Sequence, residues 1–568
     1  MTKYKRNILS VFFCTVLIIS CKNFDTVQST RDFSKTASIN YEISLARKNF
    51  ADKPLQGLCR AKVLLQNTSD NADVLNLYRD AVQNAQKAFL SAAEKKDWYT
   101  ALIFYQSLQS LGEAPQNWTE EKIRTAQKAT WKELHRDILL EIFEDTKATP
   151  QDEAPSIQTV AKMIKGTTTV WVDKGIRVEK GRGFSDKILG SGFFIDKRGY
   201  FITNYHVIQS EVDPEYEGYS RVYIKPSANK NVKIPAKVIG WDSIFDLALL
   251  KTEIEPEVVF KLGSSEGLSI GSKIYAIGSP AGLDKTLTSG IVSAKNRKLF
   301  SLGDALQIDA SVNPGSSGGP IVDEKGNVQA IVFAGLESLE GLNFAIPVEF
   351  LKLILPDLYR GGKVEHSWLG AFGQVLAPRA LSNTKGVKLL YTIPGCPAAL
   401  AIVPEQSIIT AINDTPIDTI EKLQQELLHY SPDTIIKISG YALQDKNKPD
   451  TIDSYVKKDW FVQTAARPEF PVKLIYEKDL SYRAFTPLFG FEFGSTGKKN
   501  TYRVERIVSG TFADENEFTQ GDVIEIQRVR INEENKVVIA DVYAKRRKAG
   551  YFDSFMQFGQ YLDNPLFF

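Results

Sequence analysis

Asn313-Pro-Gly-Ser-Ser-Gly-Gly-Pro320 sets two adjacent hydroxyls among three glycines. A serine that attacks a carbonyl must hold its Oγ out on a tight turn. Backbone N–H groups beside it must be free to face the oxyanion that develops. The glycines flanking Ser317 permit both, although a plain flexible turn uses the same residue types. Two upstream segments add what such a nucleophile needs. Tyr200-Phe-Ile-Thr-Asn-Tyr-His206-Val-Ile sets a histidine directly after a strand-like run. Gly240-Trp-Asp-Ser-Ile-Phe-Asp246-Leu-Ala-Leu-Leu250 sets an aspartate at the mouth of an apolar strand. An imidazole near neutral pKa takes the hydroxyl proton, and a carboxylate fixes its tautomer. Asp242 is the rival carboxylate; Asp246 is preferred because Leu247–Leu250 pins it to a strand.

Histidine is scarce, with four in 568 residues. His135 falls in a charged amphipathic helix, His366 in a hinge before Ser367-Trp368, and His429 in a helical stretch. None has a partner motif, so His206 carries the acid–base role. The order His, Asp, Ser is that of chymotrypsin-like enzymes rather than of subtilisins or α/β-hydrolases.

The elements that must position these groups are short β-rich runs with Gly turns, such as Thr168–Val172, Gly192–Ile195, Tyr200–Thr203 and Ile274–Gly278. Many short strands at close spacing predict a sandwich or barrel. Ahead of them, residues 39–144 have a helical period: Ala81, Ala85, Ala88, Phe89 and Ala92 share one helix face. A break at Lys96-Asp-Trp-Tyr99 precedes Ala101, Leu102, Tyr105 and Leu108. Two such antiparallel helices look like a tetratricopeptide-type unit, with a plain helical hairpin domain as the alternative. Residues 145–156 read as a linker. Residues 441–470 read as a polar insertion around Gln444-Asp-Lys-Asn-Lys-Pro-Asp450.

The catalytic segments resemble the HtrA family of trypsin-like proteases. The resemblance rests on Gly190-Ser-Gly-Phe193, Thr203-Asn-Tyr-His-Val207, Asp246-Leu-Ala248 and Gly315-Ser-Ser-Gly-Gly-Pro320. Gly278-Ser-Pro-Ala-Gly282, Thr288-Ser-Gly-Ile-Val292 and Gly341-Leu-Asn-Phe-Ala-Ile-Pro347 extend it. It spans residues 157–350 and departs at Ser316, where the family has Asn. It implies a chymotrypsin-like double β-barrel with triad His206, Asp246 and Ser317. It also implies an oxyanion hole from the N–H groups of Gly315 and Ser317. Six residues before the nucleophile, Ser311 would floor the primary pocket, where an aspartate would select Lys and Arg. Ile331, Val332, Phe333 and Ala334 would wall it, favouring small or medium apolar residues before the cut.

Residues 366–480 and 486–568 resemble the PDZ domains appended to such proteases. The first opens on Trp368-Leu369-Gly370-Ala371, like the family's carboxylate-binding loop. It continues through Ile393–Leu400 and Ile408–Pro416 to a helix over Ile420–His429. Such α+β modules add a peptide's C-terminus as a strand, so apolar C-terminal peptides are expected partners. The second, with Leu488–Phe491, Ile507–Ala513 and Gly521–Ile526, is more divergent.

At the other end, Lys3, Lys5 and Arg6 precede an apolar run over Ile8–Ile19, which is signal-peptide length rather than bilayer-spanning. Leu17-Ile-Ile-Ser-Cys21 resembles a bacterial lipobox. Residues 1–20 are then a leader, Cys21 the lipidated residue and 22–38 a polar tether. The expected location is the bacterial envelope, on the periplasmic or outer-membrane face. The other thiols, Cys59 and Cys396, form no disulfide framework, and no Cys-x-x-Cys metal motif occurs. Seventy basic against 68 acidic residues give no footprint for nucleic acid. No metal or cofactor is expected. The function expected is endoproteolysis of unfolded or misfolded envelope proteins. A catalytically silent scaffold or chaperone-like holder is the alternative. HtrA-type enzymes commonly form homotrimers through aromatics ahead of the barrels; residues 145–165 lack such a cluster.

Overall fold

The computed structural model describes residues 36–68, 71–141, 157–226, 232–279, 285–297, 302–335, 342–376, 384–444, 454–479, 481–546 and 552–568. Cys21, the leader and most of the tether lie outside these residues, as do the linker at 145–156 and the centre of the Gly278–Gly282 motif.

The chain opens with helices α1 (Thr36–Asn49), α2 (Pro54–Asn67), α3 (Ala72–Glu94), α4 (Trp98–Ser110), α5 (Glu120–Glu133) and α6 (Asp137–Glu141). Capping explains the breaks between them. The Asp97 side chain accepts from Thr100 N–H at 3.2 Å, so the helix restarts at Trp98. Ala81, Ala85, Phe89 and Ala101 are wholly buried where α3 crosses α4. His135 lies just past α5, at φ +53°, rather than within a helix.

After α7 (Ile157–Gly166) come β1 (Thr167–Glu179), β2 (Arg182–Phe194), β3 (Tyr200–Thr203), α8 (Tyr205–Val212), β4 (Arg221–Pro226), β5 (Ile234–Asp242) and β6 (Leu247–Thr252). The ring order β5-β4-β1-β2-β3-β6 closes because β5 also pairs with β6. β7 (Lys273–Gly278), β8 (Thr286–Arg297), β9 (Ala305–Ile308), β10 (Pro320–Val322), β11 (Val328–Gly335) and β12 (Asn343–Pro347) close a second barrel. Two antiparallel barrels side by side are the chymotrypsin-like architecture. Helix α9 (Val348–Arg360) buries Leu351, Ile354, Leu355 and Leu358 in the same core as β6 and β11, so this unit runs beyond residue 350. β13 (Gly362–Lys363) then joins β5 in parallel.

The first PDZ-like module has β14 (Ser367–Trp368), β15 (Ala371–Val375), β16 (Val387–Thr392), α10 (Pro397–Leu400), β17 (Ile408–Ile412), β18 (Thr415–Pro416), α11 (Ile420–Leu427), β19 (Ile435–Leu443), β20 (Tyr455–Gln463) and β21 (Ala465–Ala466). Its main sheet runs β15-β16-β17-β19-β20. Of the stretch read as an insertion, residues 445–453 lie outside the described residues, while 441–443 and 455–463 belong to hairpin strands of the module's sheet, paired from Ile435↔Gln463 to Leu443↔Tyr455 with Trp460 buried. This hairpin docks the N-terminal helices: Ile435 N–H donates to Ser107 Oγ at 2.8 Å, and Gln66 Nε2 donates to Asp459 O at 3.0 Å. Leu58, Leu64 and Phe104 share one apolar core with Ile436, Ile438 and Val462. No disulfide joins Cys59 to Cys396, and both are buried.

Helix α12 (Pro471–Lys478) packs Val472 and Ile475 into a core that the second module shares with Trp368, Phe372, Leu390 and Tyr391 of the first. That module's sheet runs β22 (Phe491–Ser495), β23 (Thr501–Ile507), β24 (Val523–Asn532), β25 (Val537–Arg546) and β26 (Phe552–Tyr561) in chain order. Phe489, Phe491 and Phe558 fill its centre. Among the described residues no helix is long and apolar enough to cross a membrane.

Candidate active site

Strand register brings two of the three groups together. β3 and β6 are antiparallel, with Thr203 opposite Ala248. Running that register two residues past Thr203 sets Tyr205 beside Asp246, where Tyr205 N–H donates to Asp246 O at 3.2 Å. Asn204 ends the strand; its Nδ2 donates to the same carbonyl at 2.8 Å. His206 then sits in the first turn of α8. Asp246 Oδ1 accepts the His206 backbone N–H at 2.7 Å, and Oδ2 pairs with His206 Nδ1 at 2.7 Å. One carboxylate thus fixes both the ring and the backbone that carries it. Asp246 stands at φ +54°, an uncommon backbone state for a side-chain-bearing residue. These bonds hold it there.

Burial pushes the Asp246 carboxyl above its ordinary pKa. The hydrogen bonds and charge of His206 oppose that push, while the nearby Asp242 adds to it. Asp242 does not face His206. Its Oδ2 pairs with His366 Nε2 at 2.7 Å, and its Oδ1 accepts Ile244 and Phe245 N–H at 2.8 and 3.1 Å. The two aspartates of this loop thus hold two different histidines.

Ser317 reaches the same cleft from the second barrel. Gly315 (φ +100°) and Gly318 (φ +84°) flank it in the left-handed region. A Cβ at Gly318 would lie 2.4 Å from Ser191 O and 2.5 Å from Thr203 Oγ1, so only glycine fits there. The first barrel clasps this turn. Ser191 N–H donates to Ser317 O and Ser191 Oγ to Gly315 O, each at 2.7 Å. Ser191 O in turn accepts from Thr203 Oγ1 at 2.7 Å, which ties the clasp to the strand before His206. Reading the sequence missed Ser191. The signal was its place in Gly190-Ser191-Gly192, between two glycines whose Cβ atoms would also clash.

Among the described residues, the N–H groups of Gly315 and Ser317 donate to nothing. Ser317 Oγ donates to Phe333 O at 3.5 Å rather than to His206 Nε2, which has no hydrogen bond among the described residues. Catalytic hydrogen bonds are often long without substrate.

Beside the turn is a cavity of about 20 Å³, room for about one water. Ser311, Val312, Asn313, Ser316, Thr286 and Val332 help to line it. Phe333 does not, contrary to the sequence expectation. The β11–β12 register breaks between Val332 and Ala334, and at this irregularity the Phe333 ring packs edge-on against His206 at 6.4 Å. Ile331 is buried in a core cluster instead. The Ala334 side chain lies outside the described residues.

Lys285, next to Thr286, donates from Nζ to Ile164 O at 3.3 Å, and burial pulls its pKa down to about 7. An unfolded lysine holds its proton to about pH 10.4. The unfolded chain therefore binds more protons above pH 7, and stability rises with pH across that window. Thermal melts from about pH 7 to pH 10 should rise for the parent and stay flatter for Lys285→Met; parallel curves would contradict this.

Trp368, Leu369 and Ala371 are buried, Gly370 sits at φ +70°, and Ala371 N–H donates to Phe568 O at 3.0 Å. Among the described residues no cluster of His, Cys, Asp and Glu could hold a metal.

Comparisons with known proteins agree with this geometry. A trypsin-like peptidase domain family matches residues 190–331, and a TP0546 family PDZ domain matches residues 472–562. A domain family of unknown function matches residues 37–130. A probable periplasmic serine endoprotease, DegP-like, from a Marinomonas species is 30% identical over 59% of this chain and 70% of its own length. The putative serine protease HhoB of a Synechocystis species is 33% identical over 42% of this chain. The chain spans 59% of HhoB's length. A solved structure, the HtrA-type protease AlgW with a decapeptide, is 24% identical with a TM-score of 0.45, covering 55% of this chain and 98% of that one. With its twin barrels, its PDZ-like modules and a relative matched over more than two thirds of its length, the chain belongs to the HtrA family of DegP-like serine proteases.

Proposed function

We propose that the chain is a serine endopeptidase of the bacterial envelope in which His206, Asp246 and Ser317 form the triad. The observation that carries this reading is the Asp246 carboxylate, held on both the ring and the backbone of His206 at 2.7 Å, facing a glycine-flanked Ser317. Ser317 Oγ attacks the peptide carbonyl as its proton passes to His206 Nε2. The resulting oxyanion is taken up by the unengaged N–H groups of Gly315 and Ser317, each typically worth about 3–4 kcal/mol of barrier. His206 then protonates the leaving amine, and water releases the acyl group from Ser317. Asp246 keeps Nδ1 protonated throughout and stabilises the imidazolium.

The reading is tested by a fluorophosphonate probe, which should label Ser317 and leave a Ser317→Ala chain unlabelled. Labelling of neither chain would favour the silent-scaffold alternative. The small pocket at Ser311 and Val332, which has no acidic floor, supports cleavage after small or medium apolar residues. In a peptide library, Ala or Val before the cut should outpace Lys or Phe by roughly tenfold or more, the usual effect of a poor fit in an apolar pocket. The substrates proposed are unfolded or misfolded proteins, since extended chain alone can lie in a cleft between two barrels. The first PDZ-like groove takes apolar C-terminal peptides.

Lipidation of Cys21 is part of the proposal. It rests on Leu17–Cys21 after a basic, apolar leader. Cys21→Ser should abolish palmitate incorporation and move the protein from the detergent to the aqueous phase. Labelling at the parent level would exclude Cys21. Periplasmic naming of relatives supports the compartment.

A further inference from the structure

The groove of the first PDZ-like module already holds a strand, and that strand is residues 565–568 of the same chain. Ala371 N–H donates to Phe568 O and Phe568 N–H to Ala371 O, both at 3.0 Å. Gly373 N–H reaches Leu566 O at 3.4 Å, and Phe372 bridges Phe567 in antiparallel register. β15 is an edge strand of its sheet, so the segment fills hydrogen-bonding positions that the sheet leaves open.

The opposite wall is α11. Gln424, itself buried, donates from Nε2 to Pro565 O and to Phe567 O, each at 2.8 Å. A glutamine aimed from the helix at two backbone carbonyls reads an extended backbone whatever its side chains. The side chains are also received. Phe568 is 1% exposed and belongs to the module's own core with Leu369, Leu423 and Leu427. Phe567 packs on Phe372 at 5.4 Å. The floor at Gly373 suits a ring: a Cβ there would come within 3.1 Å of Phe568.

The segment is also anchored at its base. Asp563 pairs at 2.6 Å with Arg467, whose side chain is 1% exposed, and Arg467 N–H donates to His366 O at 2.9 Å. The hairpin at 435–463 cannot compete for the groove, because β19 and β20 lie toward the other edge of the sheet.

We propose that residues 564–568 are an intramolecular ligand of the first module's peptide groove, so that a foreign apolar peptide binds only by displacing them. Strand addition, helix-side recognition of the backbone and burial of Phe567 and Phe568 together make up a peptide complex, here formed in cis. A ligand tethered this closely has an effective concentration in the millimolar range, so the groove is filled at rest. The inference rests on the peptide-groove reading of this module and not on the protease chemistry.

The test uses the full chain with Ser317→Ala, which prevents hydrolysis of the probe. The probe is a fluorescein-labelled decapeptide ending Asn-Pro-Leu-Phe-Phe, followed by anisotropy. Deleting residues 564–568 should tighten its binding roughly 10- to 100-fold, as expected for removal of a tethered competitor. Equal affinity for both chains would overturn the inference. Binding to neither would overturn the groove reading itself. Because the deletion could loosen the module, amide hydrogen exchange on the undeleted chain gives a second reading. The Phe567 and Phe568 amides should be protected without probe and lose protection when it saturates, while Ala371 and Gly373 stay protected. Unprotected amides at 567–568 in the probe-free chain would also overturn it.

Discussion

Ser317→Ala is expected to lower turnover of an unfolded protein substrate by on the order of 10⁶, the usual loss for a triad nucleophile, while the chain melts as before. Both halves follow from the contacts of one residue. The Oγ makes only a long bond to Phe333 O at 3.5 Å, so its removal takes little from the fold. What fixes the turn is backbone: Ser191 N–H on Ser317 O, Gly318 N–H on Val332 O at 3.0 Å, and Gly319 N–H on Ser316 O at 2.9 Å. All of these survive the substitution. The neighbouring hydroxyl does not substitute for the lost one. Ser316 is 8% exposed and its Oγ faces Gly278, where an added Cβ would lie 2.7 Å away. Initial rates on an unfolded reporter, with a thermal melt on the same samples, check the prediction. Near-parental cleavage by the variant would remove Ser317 from its role, and a collapsed melt would make the lost rate uninformative about chemistry.

The segments of the proposed triad are marked in the sequence because each is locally over-determined. Gly318 and Gly319 are demanded by close approach and Gly315 by its φ of +100°, and Thr203-Asn204 ends a strand where the helix carrying His206 begins. Asp246 needed more, since Asp242 has the same chemistry four residues earlier. The apolar run after Asp246 favours it because β6 registers against β3, which sets Asp246 beside the segment that carries His206. Contacts across long sequence separations were not legible. His366 read as an isolated hinge residue, yet its partner Asp242 lies 124 residues away. Residues 441–470 read as a polar insertion on the composition of Gln444–Asp450, although within them Trp460 and Val462 turn inward to a core shared with the N-terminal helices. Two domains that build one core leave no mark in either one's own periodicity. Which residues of β11 meet the cavity was not legible, because the order of residues on a strand does not say which face they take; Phe333 lies against His206.

The second prediction comes from that long-range pair. The segment after α9 is zipped along the end of β5: Gly362 lies opposite Gly240, Lys363 opposite Trp241, and Val364 N–H donates to Trp241 O at 2.8 Å. His366 closes the zip on Asp242, with the imidazole 5% and the carboxylate 0% exposed. Phe245 covers the pair, edge-on to His366 at 5.1 Å and stacked on Phe350 at 4.6 Å. His366→Ala strands one oxygen of a fully buried carboxylate. Breaking a buried pair from one side costs about 3–5 kcal/mol. For a unit of roughly 200 residues this lowers the melting temperature by roughly 10 °C.

Asp242→Asn is the informative companion. Its amide oxygen can still accept Ile244 and Phe245 N–H, and its NH₂ can donate to a neutral His366 whose proton has moved to Nδ1. The loss of stability should therefore be smaller than for His366→Ala. The substitution also removes one of the influences that raise the Asp246 carboxyl. Asp246 then ionises at lower pH, so any part of the acid limb of kcat/KM that Asp246 sets moves down. An upward move would contradict the assignment. If His366→Ala instead melts like the parent, the pair is incidental to the fold. The loop from Asp242 to Asp246 would then be held by its own turn bonds, and the join between barrels and first module would have no grip on the residue that orients His206.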